Sequence, residues 1–199
     1  GDLEKYFLTE YWLIDQYVGD RLFCWGDNQL YQLGTNNQID YIAPDEPSHT
    51  SGISRTNWKQ VSCGQYHTAA IKTDGTMWAW GWNYYGQVGQ GNLTDYSSPK
   101  QIGALTTWAN ACGAAVSVIA RRTDGTLWSW GNNSYGQLGL GNRTSYNSPI
   151  QVGALTNWSL VSSSRYHSVA IKTDGTLWTW GGENTFGELG RGNLTKSSS

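Results

Sequence analysis

The chain has 199 residues, of which 38% are hydrophobic and only 14% charged, with a formal net charge of −2. It contains no apolar run long enough for a membrane-spanning helix and no basic tail or stripe of the kind that neutralises phosphates, so membrane and nucleic-acid partners are not expected. Charge is unevenly placed: residues 1–57 carry nine acids against Lys5, Arg21 and Arg55, a balance of −6, whereas the remainder stands at +4.

Residues 1–21 form a segment of their own, an N-terminal arm or docking segment. Phe7, Tyr11, Ile14 and Val18 follow a helical spacing and Gly19 offers a stop, which predicts an amphipathic helix, with an extended β arm as the alternative. Residues 22–199 are organised by a 50-residue period. A partial first copy, Leu22 to Gly34, places Tyr31 where later copies have glycine, and five extra residues separate it from the next copy. Three further copies follow, the last stopping inside the repeat, so the chain is expected to be part of a longer polypeptide or to assemble with other copies. Trp58, Trp108 and Trp158 stand one period apart, as do Trp78, Trp128 and Trp178, and Trp80, Trp130 and Trp180. A fixed period of this length marks stacked or radial repeats, because one unit alone cannot bury its apolar face.

Within one period the sequence predicts a strand beginning near Trp58 and a second strand, His67 to Lys72. An Asp74-Gly75 turn leads to a third strand, Met77 to Trp80, with both indoles on one face. A loop of pattern W-G-x-N-x-x-G-Q-x-G comes next and is one residue longer in the last copy. A proline-led strand, Pro99 to Ile102, completes the unit. Four short strands per period with recurrent glycine turns describe an all-β fold of antiparallel β-propeller blades. Burying one indole removes about 150–250 Å² from water, at most about 4–6 kcal/mol, which makes the ladder tryptophans packing residues. The glycine loop lacks the lysine of a phosphate-binding loop and no helix signal follows it. The three cysteines sit at different points of their repeats and read as buried small residues. Asn-x-Ser/Thr sequons at Asn92, Asn132, Asn142, Asn157 and Asn193 would mark glycan sites only in a eukaryotic secretory setting, and turn composition explains them equally well.

These motifs closely resemble the repeat of the regulator of chromosome condensation family. The resemblance rests on Gly64-Gln65-Tyr66-His67-Thr68, Asp74-Gly75-Thr76-Met77-Trp78-Ala79-Trp80-Gly81 and Gly86-Gln87-Val88-Gly89, and covers residues 22–199. It implies β-propeller blades that draw strands from successive repeats, normally in a seven-bladed ring. His67 and His167 are expected to be hydrogen-bonded core residues, because Ser117 takes their place in one copy. The light-sensing branch of the family carries a GWRHT motif; here Gln65 and Arg165 occupy its tryptophan position, which argues against a photoreceptor.

Nothing suggests catalysis, a metal or a cofactor: no HExxH, GxSxG or paired metal spacing occurs, and Asp74, Asp124 and Asp174 sit where a tight turn wants Asp before Gly. The sequence reads as a non-enzymatic interaction scaffold. Its low charge and Asn/Thr/Ser/Gly-rich composition look like propeller repeats of bacterial surface proteins and bacteriophage structural proteins. A virion or cell-surface component is therefore expected, with other virion subunits or a host receptor as partners. The alternative is a cytoplasmic exchange or regulatory propeller acting on a small GTPase or other cellular protein. Binding residues are expected where the copies differ: Trp82, replaced by Asn132 and Gly182 in later copies, with Tyr84, Tyr41 and Arg191.

Overall fold

The computed structural model describes residues 16–18, 21–45, 57–182 and 184–198. They form an all-β structure of four consecutive antiparallel sheets, with no helix among them. The first sheet is β1 (Gln16–Val18), β2 (Arg21–Gly26) and β3 (Tyr41–Asp45). The second is a four-stranded meander of β4 (Trp58–Cys63), β5 (His67–Lys72), β6 (Met77–Gly81) and β7 (Tyr96–Gln101). The third repeats that order with β8 (Trp108–Gly113), β9 (Ser117–Arg122), β10 (Leu127–Gly131) and β11 (Tyr146–Gln151). The fourth comprises β12 (Trp158–Ser163), β13 (His167–Lys172) and β14 (Leu177–Gly181). A bridge from Gly181 to Ser197 stands where the last strand begins in the complete sheets.

Two expectations change. Phe7, Tyr11, Ile14 and Gly19 lie outside the described residues, and Gln16–Val18 is a strand paired antiparallel to β2 rather than the end of a helix. The proline does not lead its strand: Pro99 and Pro149 sit inside β7 and β11, which tolerate a missing N–H because they are the outermost strands of their sheets.

Alternation along the third strand explains how sheets stack. Trp78 and Trp80 lie on one face, where Trp58 meets them edge-on with centroids 6.3 and 6.1 Å away. That face packs on Leu22 and Cys24 of the first sheet and on Leu33 of the loop between β2 and β3. The opposite face, Ala69, Ile71, Met77 and Ala79, packs against Trp108 and Trp130 of the third sheet. Large residues on one face and smaller ones on the other let each blade seat on its predecessor at close-packed density.

The joint between blades has fixed chemistry. Trp80 Nε1 donates to Gln32 O at 2.9 Å, Trp130 Nε1 to Gln87 O at 2.9 Å and Trp180 Nε1 to Gln137 O at 3.0 Å. Each acceptor belongs to the Gln-x-Gly of the preceding blade, and the glycine of that motif lies under the indole ring. A Cβ at Gly34, Gly89 or Gly139 would come within 2.7, 2.8 or 2.5 Å of the tryptophan Nε1, and all three have positive φ. Tyr31, in place of a loop glycine, itself adopts φ 63°, matching φ 82° at Gly86.

The Asp-Gly hairpins are built as expected. Asp74 Oδ1 accepts the Thr76 hydroxyl at 2.7 Å, and Thr76 Oγ1 accepts Trp78 Nε1–H at 2.9 Å, with the same relay from Asp124 to Trp128. The threonine hydroxyl and then its backbone N–H hold both carboxyls below the usual aspartate range. Asn92 and Asn142 close turns on the N–H of Thr94 and Thr144, the role their composition suggested.

Candidate functional site

The loops that differ between copies gather at one end of the blades. The turn between the first two strands and the loop after the third are tied together there: Trp82 N donates to Tyr66 O and Asn132 N to Val116 O, both at 2.9 Å. An asparagine scaffolds each long loop from within. Buried Asn83 donates from Nδ2 to Asn92 O and Thr94 O and accepts Val88 N–H at 2.8 Å; Asn133 and Asn184 do the same in their copies. With the backbone held by this core amide, the flanking positions vary freely.

At this end Trp82 stacks on Tyr84, centroids 5.6 Å apart and planes 10° from parallel. Tyr66 and Tyr85 meet Trp82 edge-on at 5.5 and 5.7 Å. Tyr84 is 64% exposed, so the cluster has an open aromatic face. Tyr135 and Tyr166 pair at 4.7 Å on the neighbouring blades, with the Arg165 guanidinium over Tyr166. The other two expected residues stand elsewhere. Tyr41 is on the outer strand of the first sheet, its hydroxyl accepting Asn37 Nδ2–H at 2.9 Å, a contact repeated at Tyr96 by Asn92. Arg191 is in the last loop, where it donates to Thr179 O.

Trp82 also costs the protein a hydrogen bond. In the first copy the loop glutamine, Gln32, donates from Nε2 to Asp27 Oδ2 at 2.9 Å, and in the third Gln137 donates to Asn132 Oδ1 at 2.9 Å. Trp82 occupies the same loop position and offers no acceptor. Gln87, fully buried, is left with Nε2 unpartnered among the described residues. An orphaned buried amide donor costs about 1–3 kcal/mol.

Beside the cluster, His67 is 0% exposed, and neither ring nitrogen has a hydrogen-bond partner. The expected hydrogen bond is present only at His167, to Ser164 Oγ at 2.9 Å. The position equivalent to Ser164 is Gly64 in the second sheet, and a Cβ there would lie 2.1 Å from the His67 ring, so space for the imidazole is gained at the expense of its partner. Burial pulls the His67 pKa to about 4 from the usual 6.5. The unfolded chain therefore binds the proton first as pH falls, and stability is lost between about pH 6.5 and 4, by about 3 kcal/mol in all. Urea titrations at pH 7 and 4.5 should show this loss in the parent and a smaller one in His67→Ser, which takes the residue found at 117. Equal losses would refute the assignment. Cys24 is buried and Cys63 and Cys112 are partly buried, none of them in a disulfide among the described residues; burial raises the Cys112 pKa, which leaves a poor nucleophile.

Stacked meander sheets joined by indole-to-carbonyl bonds define a β-propeller of the repeat-built class. The family model for the regulator of chromosome condensation (RCC1) repeat matches residues 20–71, 74–120 and 124–171, and the chain belongs to that family. It is 38% identical to the Ultraviolet-B receptor UVR8 of Arabidopsis thaliana over 78 residues, 39% of this chain and 17% of that protein. It is 38% identical to human Protein RCC2 over 102 residues, 50% of this chain and 19% of RCC2. Among solved structures, yeast RCC1 (Prp20) bound to Kap60 superposes with a TM-score of 0.77 at 20% identity, covering 95% of this chain and 45% of Prp20. A further structure of Prp20p is described with its binding to Gsp1p and histones. The chain thus spans less than a fifth of these two curated relatives and under half of the solved propeller.

These relatives are cellular proteins and overturn the expectation of a virion or bacterial-surface component with virion subunits or a host receptor as partners. That expectation rested on low charge and on Asn, Thr, Ser and Gly content. The structure gives this composition another cause: the polar residues are loop scaffolds and turn formers such as Asn83, Asn92 and Thr76, needed in every blade.

Proposed function

We propose that the chain is a regulatory, protein-binding propeller segment, non-enzymatic itself, which acts through its Trp82 end on a small GTPase or another protein inside the cell. The observation that carries this reading is the pairing of an open Trp82–Tyr84 face with an unsatisfied Gln87 amide beneath it. The first and third copies keep an acceptor at this position, Asp27 and Asn132, so stability is given up here for an indole that packs only partly on its neighbours. Exposed aromatic anchors of this kind dominate protein-interface energetics. The resemblance to the regulator of chromosome condensation family makes small GTPases the first class to test, and a member of that fold, Prp20p, is described with its binding to Gsp1p.

Binding should be measured against a panel of small GTPases, nucleotide-free and GDP-loaded, with GDP release followed in parallel. Trp82→Asn and Tyr84→Ala should each weaken the bound partner at least tenfold, about 1.4 kcal/mol. Trp82→Asn should also be about 1 kcal/mol more stable than Trp82→Ala, because only asparagine returns an acceptor to Gln87 Nε2. Undiminished binding by Trp82→Asn would sink the proposal.

A further inference from the structure

On the flank of the blades, away from the Trp82 end, a groove of about 480 Å³ runs between the second and third sheets. One wall is Gly89 to Gly91, Ile102, Gly103 and Leu105; the other is Trp108, Arg122, Trp128, Ser148 and Pro149. At its centre the Arg122 guanidinium lies 3.7 Å from the Trp128 ring centroid and 4.9 Å from that of Trp108. The equivalent residues of the neighbouring copies are lysines: Lys72 stands 4.7 and 5.1 Å from Trp58 and Trp78, and Lys172 stands 5.4 and 3.9 Å from Trp158 and Trp178. A cation capping two indoles is thus part of the repeat, whereas a guanidinium there is particular to one groove.

The difference matters chemically. Lysine offers a compact charge that satisfies the indoles and is otherwise hydrated; arginine is planar, stacks on the indole and leaves a rigid fork of donors that matches a carboxylate. Among the described residues no hydrogen bond or ion pair engages the Arg122 side chain, and its Nε is buried without a partner. Burial also lowers the Arg122 pKa, with the charge of Asp124 partly opposing the shift, as expected of a cation partly stripped of water. Around this fork the walls carry Ile102, Leu105, Pro149 and the Trp128 ring, with Gly89, Gly91 and Gly103 beside Ile102; Ser148 and Gln90 are the polar side chains of the lining, and the Gln90 amide already donates to Gln101 O at 2.9 Å. A free phosphate would use the fork and leave those walls wet; a carboxylate carried between apolar side chains uses both.

We infer that this inter-blade groove is a second binding site, which takes an extended peptide segment bearing a Glu or Asp side chain on Arg122 and apolar side chains against Ile102, Leu105 and Pro149. The site is independent of the Trp82 end and of the function proposed for it.

The probe is Ac-Leu-Glu-Leu-NH2 against its isostere Ac-Leu-Gln-Leu-NH2 and inorganic phosphate, read from the Trp128 indole N–H resonance of the full chain. The glutamate peptide should shift that resonance saturably, with the glutamine peptide at least tenfold weaker. Arg122→Lys, which installs the residue of the two neighbouring copies, should keep the parent melting temperature and lose at least tenfold in affinity. Equal binding of the two peptides, parent-like affinity in Arg122→Lys, or no saturable shift with the glutamate peptide would each overturn the inference. Phosphate binding as tightly as the glutamate peptide would overturn it too, by reducing the groove to a simple anion subsite.

Discussion

Trp130→Ala is expected to destabilise the protein by about 3–5 kcal/mol, the range for removing a large aromatic side chain from a core that cannot collapse around the gap. Trp130 is fully buried among Ala69, Ile71, Met77, Ala79, Val88 and Ile102, so the cavity would open between two sheets rather than within one. Loss of its N–H leaves the Gln87 carbonyl unpaired as well, adding the cost of an orphaned acceptor. Urea denaturation followed by circular dichroism measures the loss. A change below about 1 kcal/mol would show that the sheets are held by something other than this joint. Trp82→Ala, by contrast, removes a half-buried ring from a surface cluster and should cost far less.

Gly89→Ala should be nearly as damaging, by about 2–5 kcal/mol, although it adds only one methyl group. Two causes combine: φ is +75°, where a Cβ is strained by about 1–2 kcal/mol, and the added atom would lie 2.8 Å from Trp130 Nε1 and 3.3 Å from Ile102 Cδ1. The two substitutions share one contact, so their effects should not add. In a Trp130→Ala background the steric part of the Gly89→Ala cost disappears and only the backbone strain should remain, giving a coupling of at least about 1 kcal/mol in a double-mutant cycle. Additivity within experimental error would mean that Gly89 and Trp130 do not meet.

Much of this architecture was legible in the sequence because period-2 alternation and Asp-Gly turns are local signals. The strands around Trp58, His67 and Met77 and the shared face of Trp78 and Trp80 follow from them directly. The joint did not, because a period says that residues have equivalent surroundings without saying which copy supplies those surroundings. Trp80 finds its acceptor in Gln32, one copy earlier, and only the stacking of sheets reveals that pairing. At the Trp82 end the off-register indole was visible, but Tyr66 and Tyr85 were hidden by resemblance to neighbouring copies, and the missing partner of Gln87 exists only in three dimensions. Arg122 was visible as an arginine between Lys72 and Lys172. The exchange looks conservative until the stacked geometry separates a fork from a point charge.

The chemistry of the joint is divided between neighbouring units, with the indole in one and the Gln-x-Gly receptor in the one before. A gene built this way tolerates unequal recombination in whole multiples of its repeat, wherever the crossover falls, because the recombinant junction again sets an indole after a receptor. Deletions of part of a unit have no such protection, since they discard one half of a joint and strand the other. The contact therefore depends on the order of the two half-joints rather than on the number of units, and loop positions such as 82 and 84 lie outside it.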